Sequence, residues 1–488
     1  MILSKSQFVR GVKCPKSLWL LKNSDVPRDV PDEGQQARFE TGHLVGRLAR
    51  DLFPGGREIP FNPDDFEGMI RQTRAWIDSG VDTLYEATAQ ANGGFAMADI
   101  LRREGGGWAL YEVKAATGLK DYHLYDATFQ FKVFRDFGVD VRRVFIVHID
   151  RSYVRHGDLA LRKLFTVEDV TAQVLAMREE IASRHRGLAA MLEGEMPDRD
   201  IGPHCSRFYD CDYASWCWRH IPERSVFGLY RLPGSKKFSL YDRGVLKIGE
   251  LPGDFNPNFI QSLQIAAEET GRPVVRRGAI RAFLTGLRFP LNFFDFETFM
   301  EPVPRFDGQR PYQQMPFQYS LHILHADGRL EHREFLADET RDPRPPLIAR
   351  MLSDLTPEGS IIAYNKGFEI GRIRELATFE PARARELLGL VDRFADLIVP
   401  FRGGGFYHPG FNGSFSLKSV LPALFPDDPE LSYQALAIRD GGMAMTAYAT
   451  LHLEEDPAER AKIRADLLSY CRLDTLAMVK IYKFLNGL

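Results

Sequence analysis

The sequence predicts an α/β protein of two domains, and three observations carry that prediction. At 488 residues the chain exceeds what one ordinary hydrophobic core organises, so two domains with a connector are expected. Strand-like segments alternate with helical ones in both halves: FAMADIL and WALYEVK early, then LNFFDFE, PFQYSLHIL and SIIAYN late. Between them lies a stretch rich in Gly and Pro (FGLYRLPGSKKF, GELPGDFNP), which turns helical around NFIQSLQIAAEETG. The expected organisation is a mixed α/β domain over 1–222, a connector over 223–289 and a second α/β domain over 290–488.

Composition agrees with two packed cores. Hydrophobic residues make up 44% and charged residues 26%, which leaves enough apolar material for both and gives no reason to expect disorder. No run reaches the roughly 18 apolar residues of a membrane span, and MILSKSQFVRGVKCPKS lacks the apolar core of a signal peptide. The expectation is therefore a cytoplasmic protein with no membrane partner. A net charge of -3 is compatible with a nucleic-acid partner, because a basic groove can be offset by acidic surface elsewhere. Arg102, Arg103, Lys114, Lys120, Lys132, Arg135, Arg142, Arg143, Arg151 and Arg155 do cluster in one stretch.

The first candidate site lies in that stretch. FAMADIL and WALYEVK flank the turn REGGG and read as a hairpin. Glu112 and Lys114 are two apart and share a strand face, and Asp99 is expected to end the first strand where it meets them. His43 falls on a predicted helix upstream and Gln130 on another downstream, and an amphipathic helix is expected over about 167–192. An acid followed by E-x-K resembles the PD-(D/E)XK nucleases, which have a restriction-endonuclease-like fold. The resemblance implies that Asp99 and Glu112 hold a divalent ion while Lys114 helps to activate water and stabilise developing charge. Similarity to the RecB-like and Cas4-like branch further implies His43 as a metal ligand and Gln130 as a catalytic-site glutamine.

Of five cysteines, Cys205, Cys211 and Cys217 sit in HCSRFYDCDYASWCW, Cys14 lies far upstream, and Cys471 reads as a small core residue. A cytosolic setting argues against disulfides. The spacing lacks the C-x2-4-C pairs usual for zinc. Four thiolates at irregular spacing suit a cubane cluster, with zinc as the alternative. The pattern also resembles the iron–sulfur staple of Cas4-like and AddB-like nucleases, which implies that Cys14, Cys205, Cys211 and Cys217 hold a structural [4Fe–4S] cluster.

The second candidate site begins in LNFFDFE, where alternation puts Phe293, Asp295 and Glu297 on one face and Phe294 and Phe296 on the other. Unpaired carboxylates on so apolar a strand cost several kcal/mol each, so a cationic partner is expected. The last helix repeats the anomaly. Its apolar stripe runs through Ile463, Leu467, Cys471, Met478, Ile481 and Leu485, with Tyr470 and Asp474 at its margin. Glu369, in SIIAYNKGFEIGRIREL, falls one turn before Ile373. Four acids projected inward match two hard divalent cations, Mg²⁺ or Mn²⁺, with Tyr470 placed to orient an attacking water.

D-x-E on a strand, Y-N-x-x-F-[D/E] at a strand-to-helix junction and Y-x-x-x-D on a late helix resemble the three motifs of the DEDDy branch of the RNase H-like superfamily. The resemblance implies a DnaQ-type exonuclease domain with 3′-to-5′ activity and Asp295, Glu297, Glu369 and Asp474 as metal ligands. Glu369 departs from the pattern, in which Asp is usual. Taken whole, the chain resembles a bacterial family that fuses a Cas4/RecB-like domain to such an exonuclease domain. The expectation is a metal-dependent nuclease with two active sites, acting on DNA in preference to RNA, on single strands or ends. The alternatives are a single active site with the other domain as a binding clamp, and a non-catalytic nucleic-acid-binding subunit of a repair or defence complex.

Overall fold

The computed structural model describes residues 1–30 and 33–488, with side chains of 33–40 outside the description. The protein is mixed α/β and divides into two compact units, Met1–His220 with Glu301–Tyr312, and Ile221–Met300 with Gln313–Leu488. Residues 223–289 thus belong to the second unit. The reason is burial: Ile260, Ala267 and Ile280 close one hydrophobic cluster with Leu291 and Phe293.

Among its described residues the first unit carries a seven-stranded mixed sheet of β1 (Leu3–Ser4), β2 (Arg57–Glu58), β3 (Thr83–Ala91), β4 (Gly94–Glu104), β5 (Gly107–Lys114), β6 (Val141–Ile149) and β7 (Phe165–Asp169). The order is β2-β3-β4-β5-β6-β7, and β1 pairs with β4. Gly105 and Gly106 take φ of +60° and +75° in the turn from β4 to β5, a left-handed pair that glycine adopts without strain. Helices α1 (Lys5–Lys13), α3 (Asp121–Asp136) and α4 (Thr171–Leu192) cover one face through Phe8, Phe129 and Ile181. Helix α2 (Glu33–Arg50) covers the other through Val45 and Ala49. The expected helix from about 167 is corrected at its start. Residues 165–169 pair antiparallel with β6, Val167 opposite Val147, and the helix begins only at Thr171. The short alternating FTVED gains ladder hydrogen bonds at the sheet edge that a frayed first turn would lack.

The second unit holds a five-stranded mixed sheet of β8 (Leu291–Phe299), β9 (Met315–Leu324), β10 (Leu330–Leu336), β11 (Ile361–Ala363) and β12 (Phe394–Asp396), in the order β10-β9-β8-β11-β12. Strand β8 is central and nearly fully buried. Phe293 packs with Met478 and Ile481 of the last helix, whereas Phe294 and Phe296 pack with Leu347 and Ile373. The expected alternation therefore sets the two faces of the sheet. Gly359, at φ +89°, turns the chain into β11 so close to Pro290 that a Cβ would lie 2.1 Å from the Pro290 carbonyl oxygen. From β11 the chain enters α5 (Gly367–Phe379), and later α6 (Leu417–Leu424), α7 (Gly441–Leu451) and α8 (Pro457–Asn486). No helix among the described residues is long and apolar enough to cross a membrane.

Candidate active sites

In the second unit Asp295 and Glu297 project from β8 toward α8, opposite Ser320 and Gln318 of β9. The register shifts between Pro316 and Gln318, so Phe317 forms a bulge across from Glu297, a device that re-aims side chains beside sites. Ligand atoms of Asp295, Glu297 and Cys471 all lie within 4.8 Å of one another, a group able to hold a metal ion. Asp474 comes from α8 and Glu369 from the first turn of α5. Glu297, Glu369 and Asp474 are buried, and Asp295 is half-buried.

The electrostatics show four acids crowded in an apolar setting. Burial pushes Asp295 and Glu297 well above the usual carboxylate range, and the Asp474 charge adds to both. The charge of Glu369 also raises both. Glu369 itself is pushed up to about 8, first by burial, and its Oε2 has no hydrogen-bond partner among the described residues. Burial pushes Asp474 up to about 6, opposed by hydrogen bonds from Tyr433 and Tyr470 and by the charge of Lys418. Such a cluster holds its protons until a cation replaces them.

Tyr470, buried at 5% exposure, stands beside Asp474, Glu297 and Asp295, and burial with their charge holds its hydroxyl far above the usual phenol range. It is therefore a neutral hydrogen-bond group. Gly441, at the start of α7, borders the site: a Cβ would stand in ordinary contact, 3.8 Å from Glu297 Oε2 and 3.9 Å from the Tyr470 hydroxyl. Sequence reasoning missed Tyr433 and Lys418. Tyr433 lies in a single 3₁₀ turn with no periodic pattern to mark it. Lys418 sits in the first turn of the short helix α6, where no motif marks its charge.

In the first unit the ladder between β4 and β5 stops at Ile100 and Tyr111. Asp99 immediately precedes this point, in mid-strand, and does not end the strand, because β4 runs on to Glu104. Where the strands part, Asp99 Oδ2 accepts a hydrogen bond from the Val113 backbone N–H at 2.6 Å. Burial pushes Asp99 up to about 7, with the Glu112 charge next. Glu112, 1% exposed, lies at the centre of this site. Its Oε1 accepts from Lys114 Nζ at 2.6 Å and from Lys5 Nζ at 2.7 Å, and its Oε2 accepts from Gln130 Nε2. Lys114 also pairs with Asp126 of α3. The neighbouring ammonium groups outweigh burial and hold Glu112 below the usual carboxylate range.

Structure thus brings together Asp99, Glu112, Lys114 and Gln130 and adds Lys5 and Asp126. His43 stands exposed on α2, and among the described residues it does not join Asp99 and Glu112 in a group of ligand atoms within 4.8 Å. Several of the clustered basic residues are spoken for locally. Arg135 and Arg142 share Asp140, Arg143 pairs with Asp169, and Lys132 pairs with Asp136.

Cys14, at the junction of two N-terminal helices, lines one enclosed cavity together with Cys205, Cys211 and Cys217. All are free thiols. Among the described residues no three of them bring their sulfurs within 4.8 Å of one another. Burial pushes the Cys217 thiol up to about 11, and Cys14 is raised by the same cause. Lys16 and Arg199 line the same cavity. Cys471 is fully buried on α8, remote in sequence from this group, with its Sγ 3.9 Å from the Asp295 carbonyl oxygen.

Residues 292–416 match a family described as a domain of unknown function (DUF2779). The chain is 26% identical over 210 residues to the "Uncharacterized protein MG366 homolog" of Mycoplasma pneumoniae, covering 40% of this chain and 32% of that protein. It is 25% identical over 218 residues to "Uncharacterized protein UU173" of Ureaplasma parvum, covering 40% and 31%. The chain thus spans about a third of the length of these relatives. A solved structure titled "Crystal structure of SSO0001" aligns over 43% of this chain and 95% of its own, at 10% identity and a TM-score of 0.16.

Proposed function

We propose that the protein is a metal-dependent nuclease that hydrolyses phosphodiester bonds, with DNA preferred over RNA and a 3′-to-5′ exonuclease site in its second unit. The observation that carries this reading is the convergence of Asp295, Glu297, Glu369 and Asp474 with Tyr470. Four carboxylates with raised proton affinity are an unstable arrangement by themselves and a good one for hard divalent cations. Those four residues would hold Mg²⁺ or Mn²⁺, which when bound supplies Lewis-acid charge at both the attacking and leaving oxygens. Tyr470, as a neutral group at that edge, would orient the attacking water.

In the first unit Asp99 and Glu112 would hold a second divalent site, with Lys114 and Gln130 as its polar neighbours. This is the PD-(D/E)XK reading, and the parting of β4 and β5 at Asp99 supports it. The cysteine cavity fits a [4Fe–4S] cluster better than zinc. A Zn–S bond of about 2.3 Å in a tetrahedron puts all four sulfurs about 3.8 Å from one another, a closeness that no three of these sulfurs reach among the described residues.

The test is a matched pair, Glu112→Ala and Asp295→Ala, assayed with Mn²⁺ on end-labelled single- and double-stranded DNA and RNA. Each variant is expected to lose one cleavage pattern and keep the other. Full activity of both on every substrate would remove the site assignments, and no cleavage by the native chain would remove the enzyme reading.

A further inference from the structure

The carboxylate of Glu112 carries two ammonium groups on one oxygen. Lys114 is its strand neighbour two residues on, but Lys5 reaches it from 107 residues away. Lys5 is placed there by a rigid frame. Leu3 and Ser4 pair with Gly94 and Phe95 of β4, Ser4 caps α1 by accepting from the Gln7 N–H, and Phe8 stacks on Phe129 of α3 at 4.5 Å.

The two lysines differ in how they are held. Lys114 is anchored twice, by Glu112 and by Asp126, whereas Lys5 pairs with Glu112 alone and its side chain keeps 27% exposure. The pocket is also short of positive partners. Asp126 Oδ1 and Gln130 Oε1 are buried acceptors with no hydrogen-bond partner among the described residues, on residues that are 7% and 0% exposed. Native proteins leave few such atoms unpaired, and two beside one carboxylate point to a cation or donor that belongs there.

We infer that Lys5 is the resident counterion of Glu112, and that a divalent cation must displace its ammonium, which is then free to meet the phosphate of a bound strand. The inference rests on the nuclease reading of this site. Lys5 holds the acid ready without the cost of a bare buried charge, and its release costs one contact on a partly exposed side chain. Lys114, with its second anchor, stays.

Mn²⁺ affinity of the full chain tests this, measured by calorimetry in an Asp295→Asn, Asp474→Asn background that silences the other site. Lys5→Met is expected to bind Mn²⁺ about tenfold more tightly, since a competing charge is gone. Lys5→Arg, which keeps the charge, is expected to stay near the native affinity. In the native second unit Lys5→Met should also raise KM for a single-stranded oligonucleotide in the cleavage assigned to Glu112. Mn²⁺ binding with equal affinity in Lys5→Met and its parent overturns the inference alone. A parent that binds no Mn²⁺ overturns the reading of this site with it. A Lys5→Met chain that fails to fold while Lys5→Arg folds makes Lys5 a structural neutraliser, and equally overturns the proposal.

Discussion

Tyr433 donates its phenolic hydrogen to Oδ1 of Asp474, from a 3₁₀ turn 41 residues earlier in the chain. Asp474 therefore has two tyrosines on it, since Tyr470 also hydrogen-bonds to it from one turn back on α8. The two donors stabilise the ionised form of an acid that burial has pushed up to about 6.

Tyr433→Phe removes one of those donors without changing the ring. Asp474 then holds its proton to higher pH and competes less well for a cation at neutrality. The Mn²⁺ concentration for half-maximal cleavage should rise by roughly three- to tenfold, an effect of about 1 kcal/mol for one lost hydrogen bond to a charge. The effect should fade above pH 8, where the acid is ionised in both chains. A metal titration at pH 6.5 and pH 8.5 reads it, and an equal shift at both would assign Tyr433 to packing instead.

A second polar group lies between the sheet and α8. The rings of His322 and His332 lie 4.4 Å apart, tilted by 36°, Ser320 hydrogen-bonds to His332 and Thr475, and Thr475 also bonds to His322. Arg472 and Glu334 face them. Burial pushes His322 down to about 3 and His332 down to about 4; the charge of Arg472 acts in the same direction on both, and that of His332 does so on His322. A base with a depressed folded-state value binds fewer protons folded than unfolded, so its contribution is present above about 6.5 and lost as pH falls toward 4. Urea unfolding at pH 7 and pH 5 should show the native chain losing about 1–3 kcal/mol more than His322→Gln over that interval. A variant that loses as much as the native chain would remove His322 from the account.

The cysteine cavity makes a colour prediction. Anaerobically purified protein should be brown with the broad visible absorbance of an iron–sulfur centre, and Cys205→Ser should lose both colour and thermal stability. Cys471→Ala should keep the colour, because that thiol lies on α8 against Asp295 and outside the cavity. Colourless protein carrying stoichiometric zinc would reverse the assignment of the metal.

These residues also mark what the sequence makes legible. Asp295 and Glu297 were legible because a strand's period of two fixes a shared face and the apolar neighbours make two acids anomalous. Asp474 and Tyr470 were legible from the helical stripe of α8. Lys5 and Tyr433 were not, since their partners lie 107 and 41 residues away and no local periodicity encodes such a meeting. The segment 223–289 is a different case. Gly and Pro mark turns, but Ile260, Ala267 and Ile280 decide which core the segment joins. The segment 301–312 shows the same thing in reverse: Tyr312 donates to the Ala115 carbonyl and Arg155 N–H donates to Gln309, so it packs with the first unit.

Glu369 offers the sharpest separation of stability from function. Its carboxyl is pushed up to about 8 from an ordinary 4.5, so the folded chain binds the extra proton between those values and loses stability as pH rises through them. Glu369→Gln removes that loss. In EDTA the second unit should gain about 1–3 kcal/mol at pH 8 and nothing at pH 4, while the rise in melting temperature given by Mn²⁺ shrinks. Glu369→Asp addresses the departure from the usual acid at this position. The carboxylate starts from the first turn of α5 and already bears on both Asp295 and Glu297, so a side chain one methylene shorter falls back from them. The kcat of the proposed exonuclease reaction should drop by about ten- to a hundredfold in Glu369→Asp, the scale of a displaced catalytic group. A rise in kcat would mean that the backbone here suits aspartate, and that the native site has drifted from its working geometry.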